Sequence, residues 1–149
     1  MERTLVICKP DAVERGLVGE ILGRLEARGL RLAAAELRHI DAETAGRHYA
    51  EHEGKPFYAA LVAFITRSPS LVAVLEGPPE TWKLVRSMIG ATNPADAPPG
   101  TIRGDLALVT TENLVHGSDG PAAAEREIAV FFPALAEGAT GAGGPGDLA

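Results

Sequence analysis

Apolar and polar positions alternate along this chain in a way that predicts four short strands separated by helices. Apolar and β-branched runs predict buried strands at residues 4–8 and 71–75, and two further strands at residues 30–40 and 106–109. Apolar residues that recur every three or four positions indicate helices, and these segments are residues 17–25, 41–49, 57–66, 81–89 and 122–132. This order predicts an α/β sandwich of the ferredoxin-like type, βαββαβ, with a four-stranded antiparallel sheet covered by helices.

Two stretches depart from these periodic patterns. Residues 90–104 are punctuated by glycine and proline and show little apolar periodicity, which predicts a long irregular loop. A loop of that length inside a compact domain is usually functional. Residues 137–149 are rich in glycine and alanine and predict a flexible tail. We therefore assign residues 1–136 to one domain.

Composition narrows the class of protein. The chain has 149 residues, 46% of them hydrophobic, which is enough for one domain with a core. Its net charge of −6 argues against a nucleic-acid partner bound by bulk electrostatics, so an anion site needs a local cluster of cations. The single cysteine, Cys8, excludes an internal disulfide. No signal peptide or long apolar run occurs, so we expect a cytoplasmic protein without a membrane partner.

The segment from Asn113 to Asp119 carries the first candidate chemistry. His116 ends an apolar run, and Ser118 and Asp119 can each cap a following helix. Glu127 lies a few turns further on. An imidazole that is held in one tautomer beside a carboxylate can act as a nucleophile or a base. The ordinary alternative is a loop histidine that only hydrogen-bonds its surroundings.

A second candidate is a cradle for phosphate groups. Lys9 follows the first predicted strand, and Arg86 and Arg103 bracket the long loop that contains Thr92. Two guanidinium forks, an ammonium and a hydroxyl suit a polyphosphate. The chain has no Walker-type glycine-rich loop, so side chains must hold the phosphates. The ordinary alternative is a set of solvated cations paired with acids.

A third pattern, H-x-x-E-H from His48 to His52, matches the inverted zinc-protease motif. On a continuous helix both histidines share one face. Gly54 and Pro56 follow too soon for a long supporting helix, and no third ligand is clearly presented. We therefore favour surface histidines over a zinc site.

Aromatic residues supply a fourth signal, because Tyr49, Phe57 and Tyr58 surround Lys55 and Pro56. An aromatic ring can stack on a nucleobase with little regard to which base it is. For Phe57 alone, packing in the core is a strong alternative.

Taken together, these segments closely resemble the nucleoside diphosphate kinase family, in the family's order and across residues 3–133. The matching segments are Lys9-Pro10-Asp11, His48-Tyr49 with Lys55-Pro56-Phe57, residues 90–96 (GATNPAD), residues 99–105 (PGTIRGD), and Asn113 with residues 116–119 (HGSD). The resemblance also accounts for H-x-x-E-H, since family members carry a similar stretch without using it for zinc. A binding module that kept this fold and lost catalysis is disfavoured, because all the matched catalytic residues are present.

The resemblance implies a ping-pong reaction. A nucleoside triphosphate gives its γ-phosphate to His116, and the phosphohistidine passes it to a nucleoside diphosphate. Glu127 matches the carboxylate that orients the ring, and Ser118 matches a nearby hydroxyl partner. The cofactor Mg²⁺ is expected to arrive on the nucleotide, bridging its phosphates, with no metal site of the protein's own.

The remaining matches concern nucleotide binding and assembly. The residues that match the family's phosphate, sugar and base contacts are Lys9, Tyr49, Phe57, Arg86, Thr92, Arg103 and Asn113. Lys9 also counts among the catalytic group with His116. Phe57 matches the aromatic that stacks on the base, which implies broad use of purines and pyrimidines. Family members are homo-oligomers, so a hexamer or a tetramer is expected.

Overall fold

One antiparallel sheet organises the molecule, and its strands lie in the order β2-β3-β1-β4. The strands are β1 (Glu2–Cys8), β2 (Arg31–Arg38), β3 (Ser70–Gly77) and β4 (Val115–Gly117). Every neighbouring pair is antiparallel. This arrangement confirms the predicted ferredoxin-like α/β fold. The structure, a computed structural model, describes residues 1–138, so the predicted tail lies almost entirely outside the described residues.

Eight helices cover the sheet within residues 1–138. They are α1 (Pro10–Glu14), α2 (Val18–Ala27), α3 (Ala42–His48), α4 (Tyr58–Thr66), α5 (Thr81–Ile89), α6 (Ile102–Leu106), α7 (Pro121–Phe131) and α8 (Pro133–Gly138). Short 3₁₀ turns at Ala50–His52 and Pro94–Asp96 link them. None of the helices in this part of the chain is long and apolar enough to cross a bilayer.

Strand β1 lies between two hydrophobic clusters. Val6 and Cys8 pack into a cluster that includes helices α2 and α5, whereas Leu5 and Ile7 pack into one that includes α7. Successive side chains of a strand point to opposite faces, so both faces of β1 are buried. This double burial explains why the sequence of β1 is continuously apolar rather than alternating.

Strand β2 lies at one edge of the sheet. Most of its side chains are exposed or half-buried, and the pairing with β3 shifts between Leu32 and Ala34. A bulge of this kind twists an edge and blunts its tendency to pair with another chain. The observed shift falls where the alternation of apolar positions becomes irregular.

The predicted strand at residues 106–109 is wrong. Leu106 ends α6, and Val109 forms an isolated bridge with Glu112 rather than a ladder. Leu108 is 88% exposed and Val109 is 55% exposed, so this short apolar run is not a buried element. The fourth strand is instead β4, which pairs with β1 and carries His116 at its centre.

The predicted irregular loop at residues 90–104 contains more local structure than expected. The Asn93 side chain accepts a hydrogen bond from the Ala95 N–H and caps the 3₁₀ turn. Thr101 Oγ1 accepts a hydrogen bond from the Gly104 N–H and caps α6. Short polar caps of this kind leave no apolar periodicity, so the pattern of hydrophobic positions could not reveal them.

Gly104 generates a stability prediction, because a Cβ there would lie 2.0 Å from the carbonyl oxygen of Pro98. We expect Gly104→Ala to lower the free energy of unfolding by about 1–3 kcal/mol, since backbone must move to relieve the clash. Gly23→Ala in α2 is the matched control, because its Cβ would meet nothing within 4 Å. That control should raise stability by about 0.5–1 kcal/mol. Urea denaturation measures both, and equal midpoints for the two variants would contradict the prediction.

Candidate active site

A cleft of about 660 Å³ lies beside β4. Eight of the ten site residues predicted from the sequence line it. They are Lys9, Tyr49, Phe57, Arg86, Thr92, Arg103, Asn113 and His116. The other two, Ser118 and Glu127, are buried behind His116. Residues that are distant in sequence thus converge on one cavity of a size suited to a small ligand.

His116 is held from its inner side by a buried carboxylate. Its Nε2 lies 3.0 Å from Oε1 of Glu127, whose side chain is 5% exposed against 27% for His116. A ring nitrogen next to a carboxylate carries the proton, which leaves the lone pair on the other nitrogen. Nδ1 of His116 has no hydrogen-bond partner within residues 1–138, and the side chain lines the cleft. The ring is therefore oriented with a free nucleophilic nitrogen.

Ser118 stabilises Glu127 rather than capping a helix. Its hydroxyl donates to Oε1 of Glu127 at 2.6 Å and accepts a hydrogen bond from the Leu5 N–H at 3.2 Å. Helix α7 instead begins after Gly120, without a side-chain cap. The expectation that Ser118 or Asp119 caps this helix is therefore wrong, because the serine hydroxyl is engaged by a buried acid.

Two opposing effects act on Glu127. Burial raises the pKa of its carboxyl, but the hydrogen bond and charge of His116 and the hydrogen bond of Ser118 lower it, and the net pKa lies below its ordinary value. Glu127 is consequently a carboxylate at neutral pH. A negative charge beside Nε2 can stabilise an imidazolium that develops when Nδ1 forms a new bond.

Lys9 and Asn113 form the floor of the cleft. The Lys9 ammonium donates to Oδ1 of Asn113, and Nδ2 of Asn113 donates to the Thr92 carbonyl at 2.9 Å. Burial, followed by repulsion from Arg103, lowers the pKa of Lys9 to about 8, with Asp11 opposing the shift. A poorly solvated ammonium of this kind gains strongly from an incoming phosphate.

Arg103 is anchored to the backbone and also lines the cleft. Its guanidinium donates to the carbonyls of Gly90, Asn113 and Val115. Burial, followed by repulsion from Arg86, lowers the pKa of Arg103 to about 10. Arg86 is exposed and donates to the Gly117 carbonyl at 2.9 Å. Two guanidinium groups that line one cleft and repel each other can together bind an anion.

One wall of the cleft is aromatic and apolar. Phe57 is 48% exposed, and Phe64 and Leu61 line the same wall on α4. Leu61 and Phe64 are apolar residues of a helix, yet both line the cleft and neither is fully buried. Positions 57, 61 and 64 have the i, i+4, i+7 spacing of one helix face, which is the signal that could have identified this wall. Tyr58 does not line the cleft.

The H-x-x-E-H pattern does not place its two histidines on one continuous helix. Helix α3 ends at His48, and the chain then turns into the 3₁₀ segment at Ala50–His52. His48 is buried, against our expectation of a surface residue, and its ring packs edge-on to His116 with centroids 4.9 Å apart. Burial, followed by repulsion from His116, lowers the pKa of His48 to about 3, so it stays neutral.

The possible metal ligands in this region are His48, His116 and Glu127, whose candidate atoms lie within 4.8 Å of one another. Ligands of one tetrahedral Zn²⁺ lie roughly 3.4 Å apart, given bond lengths of about 2.1 Å. The hydrogen bond between His116 and Glu127 already joins two of the three groups. This geometry fits a proton-bridged pair better than a resident zinc ion. Glu112 is the one carboxylate in the cleft lining.

Comparisons with known proteins agree with the geometry. The family model for nucleoside diphosphate kinase matches residues 2–136. A nucleoside diphosphate kinase from Thermomicrobium roseum is 59% identical over 132 residues, covering 89% of this chain and 88% of the relative. One from a Mycobacterium species is 59% identical over 133 residues, covering 89% and 97%.

Solved structures give the same result. A nucleoside diphosphate kinase family protein from Babesia bovis superposes with a TM-score of 0.87 at 44% identity, covering 91% of this chain and 90% of that one. The enzyme from Halobacterium salinarum, in complex with CDP, has a TM-score of 0.85 at 50% identity, covering 88% and 87%. The identity and coverage, together with a cleft that collects the matched motifs, show that this chain belongs to the nucleoside diphosphate kinase family.

Proposed function

We propose that this phosphotransferase moves the γ-phosphate of a nucleoside triphosphate to a nucleoside diphosphate through a phosphohistidine on His116. Family membership gives the overall exchange between nucleotides, and the proposal concerns the route. The observation that carries it is the orientation of the imidazole, with Nε2 bonded to Glu127 and Nδ1 without a protein partner at the cleft. His52 also lines the cleft, but its Nε2 lies 3.9 Å from the exposed carboxylate of Glu51, whereas the acid beside His116 is buried.

In the first half-reaction, the Nδ1 lone pair attacks the γ-phosphorus in line with the leaving group. A nitrogen–phosphorus bond forms, the bond from phosphorus to the β,γ-bridging oxygen breaks, and the diphosphate leaves with that oxygen. Glu127 stabilises the positive charge that develops on the ring. In the second half-reaction, a terminal oxygen of the acceptor diphosphate displaces His116 by the reverse path, and the neutral imidazole is restored.

The cations of the cleft stabilise the phosphates during both steps. Lys9, Arg86 and Arg103 line the cleft together, and phosphoryl transfer depends chiefly on positioning and charge neutralisation. Thr92 and Asn113 supply neutral hydrogen-bonding groups near them. Mg²⁺ would arrive with the nucleotide and would supply further neutralisation of the phosphate charge, beside the cations Lys9, Arg86 and Arg103.

Phe57 supports a broad choice of nucleobase. Its half-exposed ring stands at the apolar wall, and stacking on a ring face discriminates little between bases. The CDP bound to the halobacterial relative supports a pyrimidine nucleotide as one substrate. We therefore propose that purine and pyrimidine nucleotides are both accepted.

Assembly into a homo-oligomer, a hexamer or a tetramer, is also part of the proposal. Leu37 and Leu108 are large apolar side chains that are 61% and 88% exposed. Burial of these side chains between subunits would remove apolar area from water. A cytoplasmic location and a domain boundary at residue 136 stay predictions.

The phosphohistidine is tested directly by His116→Ala. Incubation with Mg-ATP labelled in the γ-phosphate should leave this variant without acid-labile, base-stable label, because the accepting nitrogen is gone. The unaltered protein should take up label and release it to added GDP or CDP. The exposed His39 gives the control, since His39→Ala should label normally. Label on the His116→Ala protein that GDP discharges would contradict the proposal.

The charge of Glu127 generates a second prediction. Glu127→Gln keeps an oxygen that accepts from His116 but removes the negative charge, so kcat should fall about 100-fold. KM should change little, because Glu127 lies behind the ring and not in the cleft lining. Glu125→Gln, an exposed acid on the same helix, is the matched control. Similar kcat values for the two variants would remove Glu127 from the reaction.

Lys9 generates a pH prediction. Its pKa of about 8 means that the ammonium is charged below pH 8 and loses its charge above it. The kcat/KM for a nucleoside triphosphate should therefore fall on the alkaline side of pH 8, because in a ping-pong reaction this parameter reports the free enzyme. Lys9→Arg, whose guanidinium stays charged, should abolish this fall even if its absolute rate is lower. An unchanged alkaline limb in Lys9→Arg would contradict the assignment.

A further inference from the structure

A strained turn immediately precedes β4, the strand that carries His116. Leu114 is fully buried and has a positive φ of 73°, and Glu80 is the other non-glycine residue with positive φ in residues 1–138. The Val115 N–H donates to the Asn113 carbonyl at 2.8 Å, which closes a three-residue turn around Leu114. A γ-turn with positive φ at its centre is rare and strained for an L-amino acid with a side chain. Some other part of the molecule must hold this turn.

Residues more than a hundred positions away hold it. Asp11 is 1% exposed, and its Oδ2 accepts a hydrogen bond from the Leu114 N–H at 3.0 Å. The Lys9 N–H donates to the Leu114 carbonyl at 2.8 Å. The segment that begins α1 thus satisfies both backbone polar groups of Leu114. A hydrogen bond to a buried carboxylate is stronger than a neutral one, which suits it to hold a strained backbone.

The turn sets the positions of two residues that face the nucleotide. Asn113 precedes Leu114 and His116 follows two positions later, and both line the cleft. An ordinary extended residue at position 114 would alter the direction of the chain between them, because successive strand residues point to opposite faces. The guanidinium of Arg103 donates hydrogen bonds to the carbonyls of Asn113 and Val115, but it makes no hydrogen bond to Leu114 itself.

We propose that Asp11 is a positioning residue for phosphoryl transfer, which acts by holding the left-handed turn at Leu114 so that Asn113 and His116 face the nucleotide together. The inference rests on the proposed function of His116 and extends it to a group outside the cleft. Asp11 is absent from the cleft lining, so it acts through the backbone and touches no substrate.

Substitutions at position 11 separate the hydrogen bond from the charge. Asp11→Asn keeps an oxygen that can accept from the Leu114 N–H, whereas Asp11→Ala removes the acceptor altogether. Asp11 also raises the pKa of Lys9, so loss of charge alone should move the alkaline limb of kcat/KM to lower pH in both variants. Loss of the turn should appear only in Asp11→Ala, as a fall in kcat.

Glycine at position 114 provides a rescue that a merely structural role of Asp11 does not predict. Glycine adopts positive φ without steric strain, so the turn no longer needs the carboxylate. Leu114→Ala is the matched control, because it removes nearly the same buried volume but keeps a Cβ that opposes positive φ. The comparison between glycine and alanine therefore isolates the strain from the cavity that both create.

The experiment measures the single-turnover rate of phosphohistidine formation with saturating Mg-ATP. Asp11→Ala should slow this step about 100-fold, the size expected for a misplaced reacting group, and Asp11→Asn should slow it less than about tenfold. The double variant Asp11→Ala/Leu114→Gly should recover at least about tenfold over Asp11→Ala/Leu114→Ala. Equal rates for these two double variants, or a normal rate for Asp11→Ala, would overturn the proposal.

Two further measurements keep the outcome decisive. If the Asp11→Ala proteins do not fold, Asp11→Asn is paired with each single substitution at Leu114, and the glycine pair must remain the faster one. Backbone hydrogen exchange at residues 113–116 should accelerate when Asp11 is lost and should be restored by glycine at 114. If the unaltered protein takes no label, the proposed phosphohistidine fails, and exchange rates that do not respond to Asp11 would overturn the positioning role separately.

Discussion

The carboxylate of Glu127 is the group on which the site depends, because it is buried and charged and must be paired. His116 and Ser118 both bond to its Oε1, and Ser118 in turn accepts from the Leu5 backbone. These contacts join α7, β4 and β1 at one point. An unpaired buried carboxylate is strongly destabilising. The contacts that pair Glu127 therefore both fix α7 on the sheet and orient His116.

The cleft concentrates positive charge in a chain whose net charge is −6. The pKa values of Lys9 and Arg103 are lowered by burial first and by neighbouring cations second, which shows that these charges are poorly solvated and repel one another. Asp11 offsets part of this repulsion for both residues. A polyphosphate that enters the cleft offsets the remaining repulsion between these cations. Part of the free energy of binding therefore comes from electrostatic repulsion that is already present in the free protein.

The sequence predicted the elements whose signal is local and missed those that tertiary contacts create. β1 and α2 follow directly from apolar periodicity. β4 could not be found this way, because Val115-His116-Gly117 becomes a strand only by pairing with β1, whereas the more apolar residues 106–109 find no partner strand. His48 is similar, since its burial against His116 depends on how α3 packs. The motif residues identified most of the side chains that line the cleft. The backbone carbonyls that hold Arg103 could not be identified, because hydrogen bonds to the backbone leave no pattern in the sequence.

The strained turn at Leu114 and the cations of the cleft lie near the end of β1, and the packed core explains why they can persist there. Every residue of β1 from Thr4 to Cys8 is fully buried, so the backbone that leads into Lys9 and Asp11 is fixed by packing on both faces. This rigid backbone keeps the left-handed turn at Leu114 in place and keeps the cations close together. Neither the turn nor the cations can relax without disturbing the core. A fully buried stretch of β1 and a strained turn are therefore adjacent for a physical reason: a precisely positioned site requires rigid neighbouring structure.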